Sequence, residues 1–281
     1  MSIERIERAL EVARLQRTRA TEQLVAAASP PQPLGEIDPI EHAPVAVSAR
    51  LRDAPVVEWP ARELLRERYV VFPDEPGLAS QAYKMLRTQV LHRTRQNAMR
   101  CIGIVSAASG EGKSVTAINL ALSLAAEPTQ SVLLVDLDLR HPSLARTLGI
   151  EGGEGIESVL TSQVPVASVL RRASVNDRLG IVPACAPVAA SSELLASPRA
   201  AEVMRELRGV AGEPLVLIDL PPALLSDDVL ALAPLLDGVV LVVTEERTRR
   251  EDIQRVFDLL RNTPVIGTVL NASADAETRA Y

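Results

Sequence analysis

The residues best suited to chemistry lie in one run, Ser106-Ala107-Ala108-Ser109-Gly110-Glu111-Gly112-Lys113-Ser114-Val115-Thr116. An apolar stretch, Cys101 to Val105, precedes it, and another, Ala117 to Ala126, follows. That order reads as strand, tight loop, helix. Gly110, Gly112 and small neighbours such as Ser109 let backbone N–H groups approach phosphate oxygens, and the helix start adds the positive end of its dipole. Lys113 is placed to reach the β/γ oxygens and the Ser114 hydroxyl to hold Mg²⁺, with Glu111 and Val115 completing the cradle. Ala107 stands where the full pattern has a glycine.

Carboxylates form the second group. Val132-Leu133-Leu134-Val135-Asp136 reads as a buried strand ending in an acid, followed by Leu137-Asp138-Leu139-Arg140-His141-Pro142. Leu215-Val216-Leu217-Ile218-Asp219 has the same form and runs into Leu220-Pro221-Pro222. Open α/β sheets bind ligands at the carboxyl ends of their strands, and a carboxylate there reaches Mg²⁺ directly or through water. A single such Asp is equally well a helix cap. Three of them after a phosphate loop point to a nucleotide site.

The elements that must position these residues follow from composition and pattern. The chain has 281 residues, 47% apolar but only 2% aromatic, so its core must be Ala, Leu and Val. That suits parallel strands covered by helices. Strands are predicted at 101–106, 131–136, 179–183, 214–219, 238–243 and 264–270. Helices are predicted at 77–95, 113–126, 156–161, 164–172, 191–208, 227–235 and 249–261. The alternation predicts an α/β fold, a P-loop-type parallel sheet covered by helices on both faces, over residues 77–271. Leu78, Ala82, Met85, Leu86 and Val90 are expected as the apolar face of the 77–95 helix. Residues 1–27 read as an amphipathic helix and 28–76 as a Pro-rich linker, with a short helix at 61–68 and a short strand at 69–72. Residues 272–281 read as a mobile tail.

A net charge of −6 argues against nucleic acid as a partner. Arg247, Arg249, Arg250 and Arg255 interleave with Glu245, Glu246, Glu251 and Asp252, which reads as a solvated helix start. Cys101 and Cys185 lie far apart and are expected as plain positions in a reducing compartment. No apolar run reaches the length of a membrane helix, and no signal-peptide pattern opens the chain, so a cytoplasmic location is expected.

Ala-Ser-Gly-Glu-Gly-Lys-Ser, Val-Asp-Leu-Asp-Leu-Arg-His-Pro and Ile-Asp-Leu-Pro-Pro resemble the three Walker-type motifs of the bacterial tyrosine kinases. These are the cytoplasmic autokinases of capsule and exopolysaccharide synthesis. The resemblance runs from about Leu78 to Asn271. It implies transfer of the ATP γ-phosphoryl to tyrosine, with ATP and Mg²⁺ as cofactors. Lys113 would neutralise phosphate charge, and Ser114 and Asp219 would hold Mg²⁺ with support from Asp136. Asp138 would orient or deprotonate the tyrosine hydroxyl. Arg140 would stabilise transferred charge or pair with a nearby acid. Asn271 would hydrogen-bond adenine or cap a turn. Tyr281, at the end of the free tail, is the expected phospho-acceptor.

The resemblance further implies a homo-oligomer and an activating transmembrane co-polymerase, a polysaccharide chain-length protein of the inner membrane. The family's Glu-x-x-Arg-x-x-Arg contact motif falls on Gln81, Lys84 and Arg87, one charge short. Two alternatives remain: a non-kinase ATPase that regulates polysaccharide export, and an ATP-gated dimer of the partition and division-site type. The first is kept because the chain has only three tyrosines, Tyr69, Tyr83 and Tyr281. The second usually carries an extra Lys at the position of Ala108 and lacks the Asp138-to-Pro142 pattern.

Overall fold

The structure, a computed structural model, describes residues 47–272 apart from 151, 163 and 211. The expected helix over 1–27 and the tail with Tyr281 lie outside the described residues. Eight strands form one sheet. In chain order they are β1 (Val56–Val57), β2 (Cys101–Ser106), β3 (Val132–Asp136), β4 (Arg171–Ala173), β5 (Leu179–Val182), β6 (Leu215–Asp219), β7 (Gly238–Thr244) and β8 (Val265–Asn271). The spatial order is β1-β4-β5-β3-β6-β2-β7-β8. Every neighbouring pair is parallel except β4–β5, which is antiparallel. The parallel sheet expected from the sequence therefore carries a reversed pair, β1 and β4, at one edge.

The central strands are apolar up to their carboxyl-terminal residues, Ser106, Asp136 and Asp219, because both faces are covered. Successive side chains point to opposite faces. Leu133, Val135, Val216 and Ile218 enter one core, while Val132, Leu134, Leu215 and Leu217 enter the other. The second core is covered by α3 (Leu78–Gln96) and by α4 (Lys113–Ala125), the helix that starts at the phosphate loop. The first is covered by α6 (Ile156–Ser162), α7 (Val166–Val169), α9 (Pro198–Val210), α10 (Asp228–Leu232) and α11 (Arg250–Leu259). Gly103 of β2 is required by close approach, since a Cβ there would lie 2.6 Å from Leu220 Cδ1.

Several expectations need correction. Within the expected linker, Ala49–Asp53 form α1 and Val56–Val57 form β1, while Trp59 is buried in the second core. Apolar Leu51, Val57 and Trp59 provide packing that the prolines obscured. Arg62–Glu67 form α2, but Tyr69–Phe72 do not form a strand. Tyr69 turns back with φ of 61°. The buried Asn119 of α4 accepts from the Val71 amide and donates to the Tyr69 carbonyl, giving this segment the partners a strand would have found.

The predicted 191–208 helix is two, α8 (Ser191–Leu195) and α9, broken before Pro198. The predicted 164–172 helix ends at Val169 and becomes β4. Leu144–Leu148 form α5, which was not expected. On α3 the buried residues are Ser80, Val90, Leu91 and Thr94, whereas Leu78 and Met85 are exposed. The helix docks through a face rotated from its most apolar stripe.

Candidate active site

The loop after β2 enters α4 through two left-handed glycines, Gly110 with φ of 75° and Gly112 with φ of 85°. Glycine adopts that region at no steric cost. Glu111 between them is buried, and its carboxylate holds the loop closed. Oε2 accepts the Ala108 amide at 2.8 Å, and Oε1 accepts the Thr248 hydroxyl in a short contact. The Glu111 carbonyl accepts Thr244 Oγ1 at 3.2 Å and Asn271 Nδ2 at 3.1 Å. Arg247 donates to the Gly110 and Ser109 carbonyls. Carbonyls turned toward these braces leave the loop's N–H groups beyond Ala108 to face a phosphate. Ser109 is exposed, Ser114 and Val115 half-buried.

Lys113 begins α4 and points across the sheet end. Its Nζ lies 2.6 Å from Asp138 Oδ2, 3.8 Å from Asp219 Oδ1 and 3.4 Å from Ser114 Oγ. Burial opposes its charge, but Asp219 and Asp138 hold its pKa above the ordinary lysine value. Asp219 ends β6 with no exposed surface, and neither carboxylate oxygen has a hydrogen-bond partner. Burial pushes its carboxyl up to about 6, against the pull of Lys113 and Ser114 and with repulsion from Asp138.

Asp136 is the register partner of Asp219 across β3 and β6. Expected to support the metal site, its carboxylate accepts three backbone amides: Asp138 N at 3.2 Å, Ser143 N at 3.1 Å and Leu144 N at 3.0 Å. These bonds fold the 138–144 segment and seat α5. Burial, with Asp219 next, drives its pKa well above the carboxylate range despite those amides. Asp138 Oδ1 accepts His141 N at 3.2 Å, so Asp138 is fixed from both sides. Arg140 pairs with Asp228 and Asp227 of the α10 turn. Asn271, expected to hydrogen-bond adenine or cap a turn, donates to the Glu111 carbonyl and so braces the loop. The Glu111, Thr244, Thr248 and Asn271 brace was missed; the signal available was threonine and asparagine at the carboxyl ends of β7 and β8.

Lys113, Asp138, Asp219 and Ser114 thus converge, while Arg140 sits apart with α10. Among the described residues no group of three or more His, Cys, Asp or Glu forms a metal cage. A Mg²⁺ here would share its shell with phosphate oxygens and water, as Mg²⁺ usually does. The two oxygens of buried Asp219, which accept no hydrogen bond and lie beside the Ser114 hydroxyl, fit that role.

A phosphate loop at the end of a central parallel strand, faced by acidic strand ends, defines a P-loop NTPase. A family model described as "ParA: NUBPL iron-transfer P-loop NTPase" matches residues 97–278. The chain is 31% identical over 218 residues to the tyrosine-protein kinase YwqD of Bacillus subtilis, covering 76% of this chain and 90% of that one. It is 32% identical over 187 residues to the succinoglycan biosynthesis transport protein ExoP of Rhizobium meliloti, covering 65% of this chain and 23% of ExoP. The VpsO kinase domain superposes with a TM-score of 0.61 at 29% identity, covering 69% of this chain and 95% of that domain. The chain belongs to the bacterial tyrosine-protein kinases of the ParA-type P-loop NTPases.

Proposed function

We propose that this chain binds Mg²⁺-ATP and transfers the γ-phosphoryl to tyrosine, in the control of exopolysaccharide or capsule synthesis. The observation that carries the reading is the meeting of Lys113, Asp138 and Asp219 at the phosphate loop. Phosphoryl transfer needs positioning and charge neutralisation more than covalent chemistry. Lys113 serves the β/γ oxygens once it leaves Asp138. Asp138, so released, accepts the proton from the tyrosine hydroxyl, which is mostly protonated at neutral pH. Ser114 and Asp219 would hold Mg²⁺, with Asp136 fixing the segment between them. Bound Mg²⁺ would neutralise charge on the phosphate oxygens.

The partner we infer is a transmembrane co-polymerase of the inner membrane. ExoP is about four times the length of its matched segment, as the 23% coverage requires, and this chain corresponds to that segment. No helix among the described residues is long and apolar enough to cross a membrane. We therefore place this chain on the cytoplasmic side, attached through the partner. Self-association would use α3, where Gln81 and Lys84 are exposed and Arg87 donates to the Ser123 carbonyl.

The test is incubation with γ-labelled Mg²⁺-ATP, with and without the partner's cytoplasmic segment, followed by site mapping. Phosphotyrosine, on Tyr281 first of all, supports the kinase reading. ATP hydrolysis with no phosphotyrosine under either condition overturns it and favours a regulatory ATPase.

A further inference from the structure

Phosphate binding leaves one buried carboxylate unexplained. Asp228 opens α10 with no exposed surface. A buried charge survives only where hydrogen bonds replace its water. Oδ2 accepts Ser191 Oγ at 2.8 Å, and Oδ1 accepts Ser192 Oγ at 2.7 Å. Arg140 Nε and Nη2 each stand 3.4 Å from the carboxylate. Nη2 also donates to Ser192 Oγ at 2.9 Å and reaches the exposed Asp227 at 3.5 Å. The Asp228 amide donates to Ser226 Oγ at 3.1 Å. These bonds hold the carboxyl below its ordinary pKa although burial acts the other way.

The cluster gathers three segments. Arg140 belongs to the turn that begins at Asp138 and closes with the His141 amide on Asp138 Oδ1. Ser191 and Ser192 begin α8. Asp228 itself ends the loop that leaves Asp219, whose Ala223 and Leu224 amides bond the Ser106 and Ala107 carbonyls. One buried charge therefore ties the Asp138 turn to the loop joining Asp219 with the phosphate cradle. Asp136 fixes the same turn from the β3 side, through the Asp138 amide. The Arg140 contact fixes it from the opposite side.

We propose that Asp228 is a positioning residue for phosphoryl transfer: through Arg140 it sets the 138–141 turn, and with it the Asp138 carboxylate, relative to Asp219. The proposal rests on the tyrosine-kinase reading for its catalytic part. Its structural part is independent of that reading.

The test compares Asp228→Asn, Arg140→Gln and their double variant in the full chain. The control is Arg208→Gln, which breaks the two-bonded Arg208–Asp237 pair at the amino-terminal end of β2, away from the phosphates. Each single variant is expected to lower kcat about 10-fold with KM for Mg²⁺-ATP within about twofold, and the double variant to lose no more than either single. Amide exchange over 139–143 is expected to accelerate in all three, by roughly fivefold or more. Arg208→Gln should lower Tm without either change. Multiplicative losses in the double variant, or wild-type exchange over 139–143 in Asp228→Asn, overturn the proposal. Should Asp228→Asn fail to fold, Arg140→Gln carries the test, because Arg140 is exposed whereas Asp228 is fully buried. If the wild type transfers no phosphate to tyrosine, the kinase reading falls, and the exchange result still decides the role of Asp228.

Discussion

Lys113 Nζ lies 2.6 Å from Asp138 Oδ2, with 10% and 3% of their side chains exposed. The proposed phosphate-binding cation and the proposed proton acceptor therefore hold each other. Each must release the other before it acts, so nucleotide binding and acceptor activation are linked. A buried pair of this kind is weak evidence for stability, because desolvation offsets the attraction.

Asp138→Asn should then separate two properties. The amide leaves Lys113 freer to meet phosphate, so ATP affinity should be unchanged or tighter. Transfer should fall by about 10²–10⁴-fold, the usual contribution of a general base. Calorimetry and phosphotyrosine formation measure the two. Weakened ATP binding with unimpaired transfer would contradict the linkage.

Lys113→Met should act on affinity first. A charge-assisted hydrogen bond is worth about 1.5–3 kcal/mol, or roughly 10- to 150-fold in Kd. Removing Lys113 also takes from buried Asp219 the cation that lowers its pKa. The folded state should then hold more protons near neutral pH and lose stability as pH rises. Thermal melts from pH 6 to 9, beside ATP titrations, check both effects.

Asp219 gives a pH prediction with a definite sign. Its folded pKa, raised to about 6, exceeds the ordinary 3.8, so the folded state binds more protons between those values. Stability then falls as pH rises through that window, and the full cost of the buried charge is present above about 6. Asp219→Asn should therefore raise Tm at pH 8 and leave it nearly unchanged at pH 4. Mg²⁺ needs the carboxylate, so Mg²⁺-ATP affinity of the wild type should drop as pH falls below about 6. The variant should show weak affinity without that slope. A wild-type affinity independent of pH between 5 and 8 would remove Asp219 from the metal site.

Much of this site was legible in the sequence because its chemistry is local. A glycine loop between strand and helix leaves a contiguous signature, and acids at the ends of Val/Leu/Ile runs do the same. What escaped was long-range. Thr248 and Asn271 reach Glu111 from more than a hundred residues away, and Asp228 reaches Arg140 across 88 positions. Single polar residues at strand and helix ends carry no periodicity to announce such pairing. Asp136 has a second role hidden for a related reason: the Ser143 and Leu144 amides that it accepts belong to the start of a helix the pattern did not show. β1 was hidden by its length, since two valines among prolines give no alternation to read.

The brace behind the phosphate loop supplies the last prediction. Gly112 has φ of 85°, and a Cβ there would lie 2.0 Å from Asn271 Nδ2. Gly112→Ala thus meets two obstacles. The left-handed backbone costs a non-glycine residue roughly 1–2 kcal/mol. The Asn271 amide must also swing away and lose its bond to the Glu111 carbonyl, a further 0.5–1.5 kcal/mol or about that. Asn271→Ala alone removes only the bond. In the Asn271→Ala background, Gly112→Ala should therefore cost less than in the wild type, by about the value of that one bond. Denaturant titration of the four proteins closes the cycle. ATP affinity should follow the same pattern, because the Gly112 turn sets the loop's N–H directions. A strictly additive cycle would show that Asn271 does not press on the Gly112 turn.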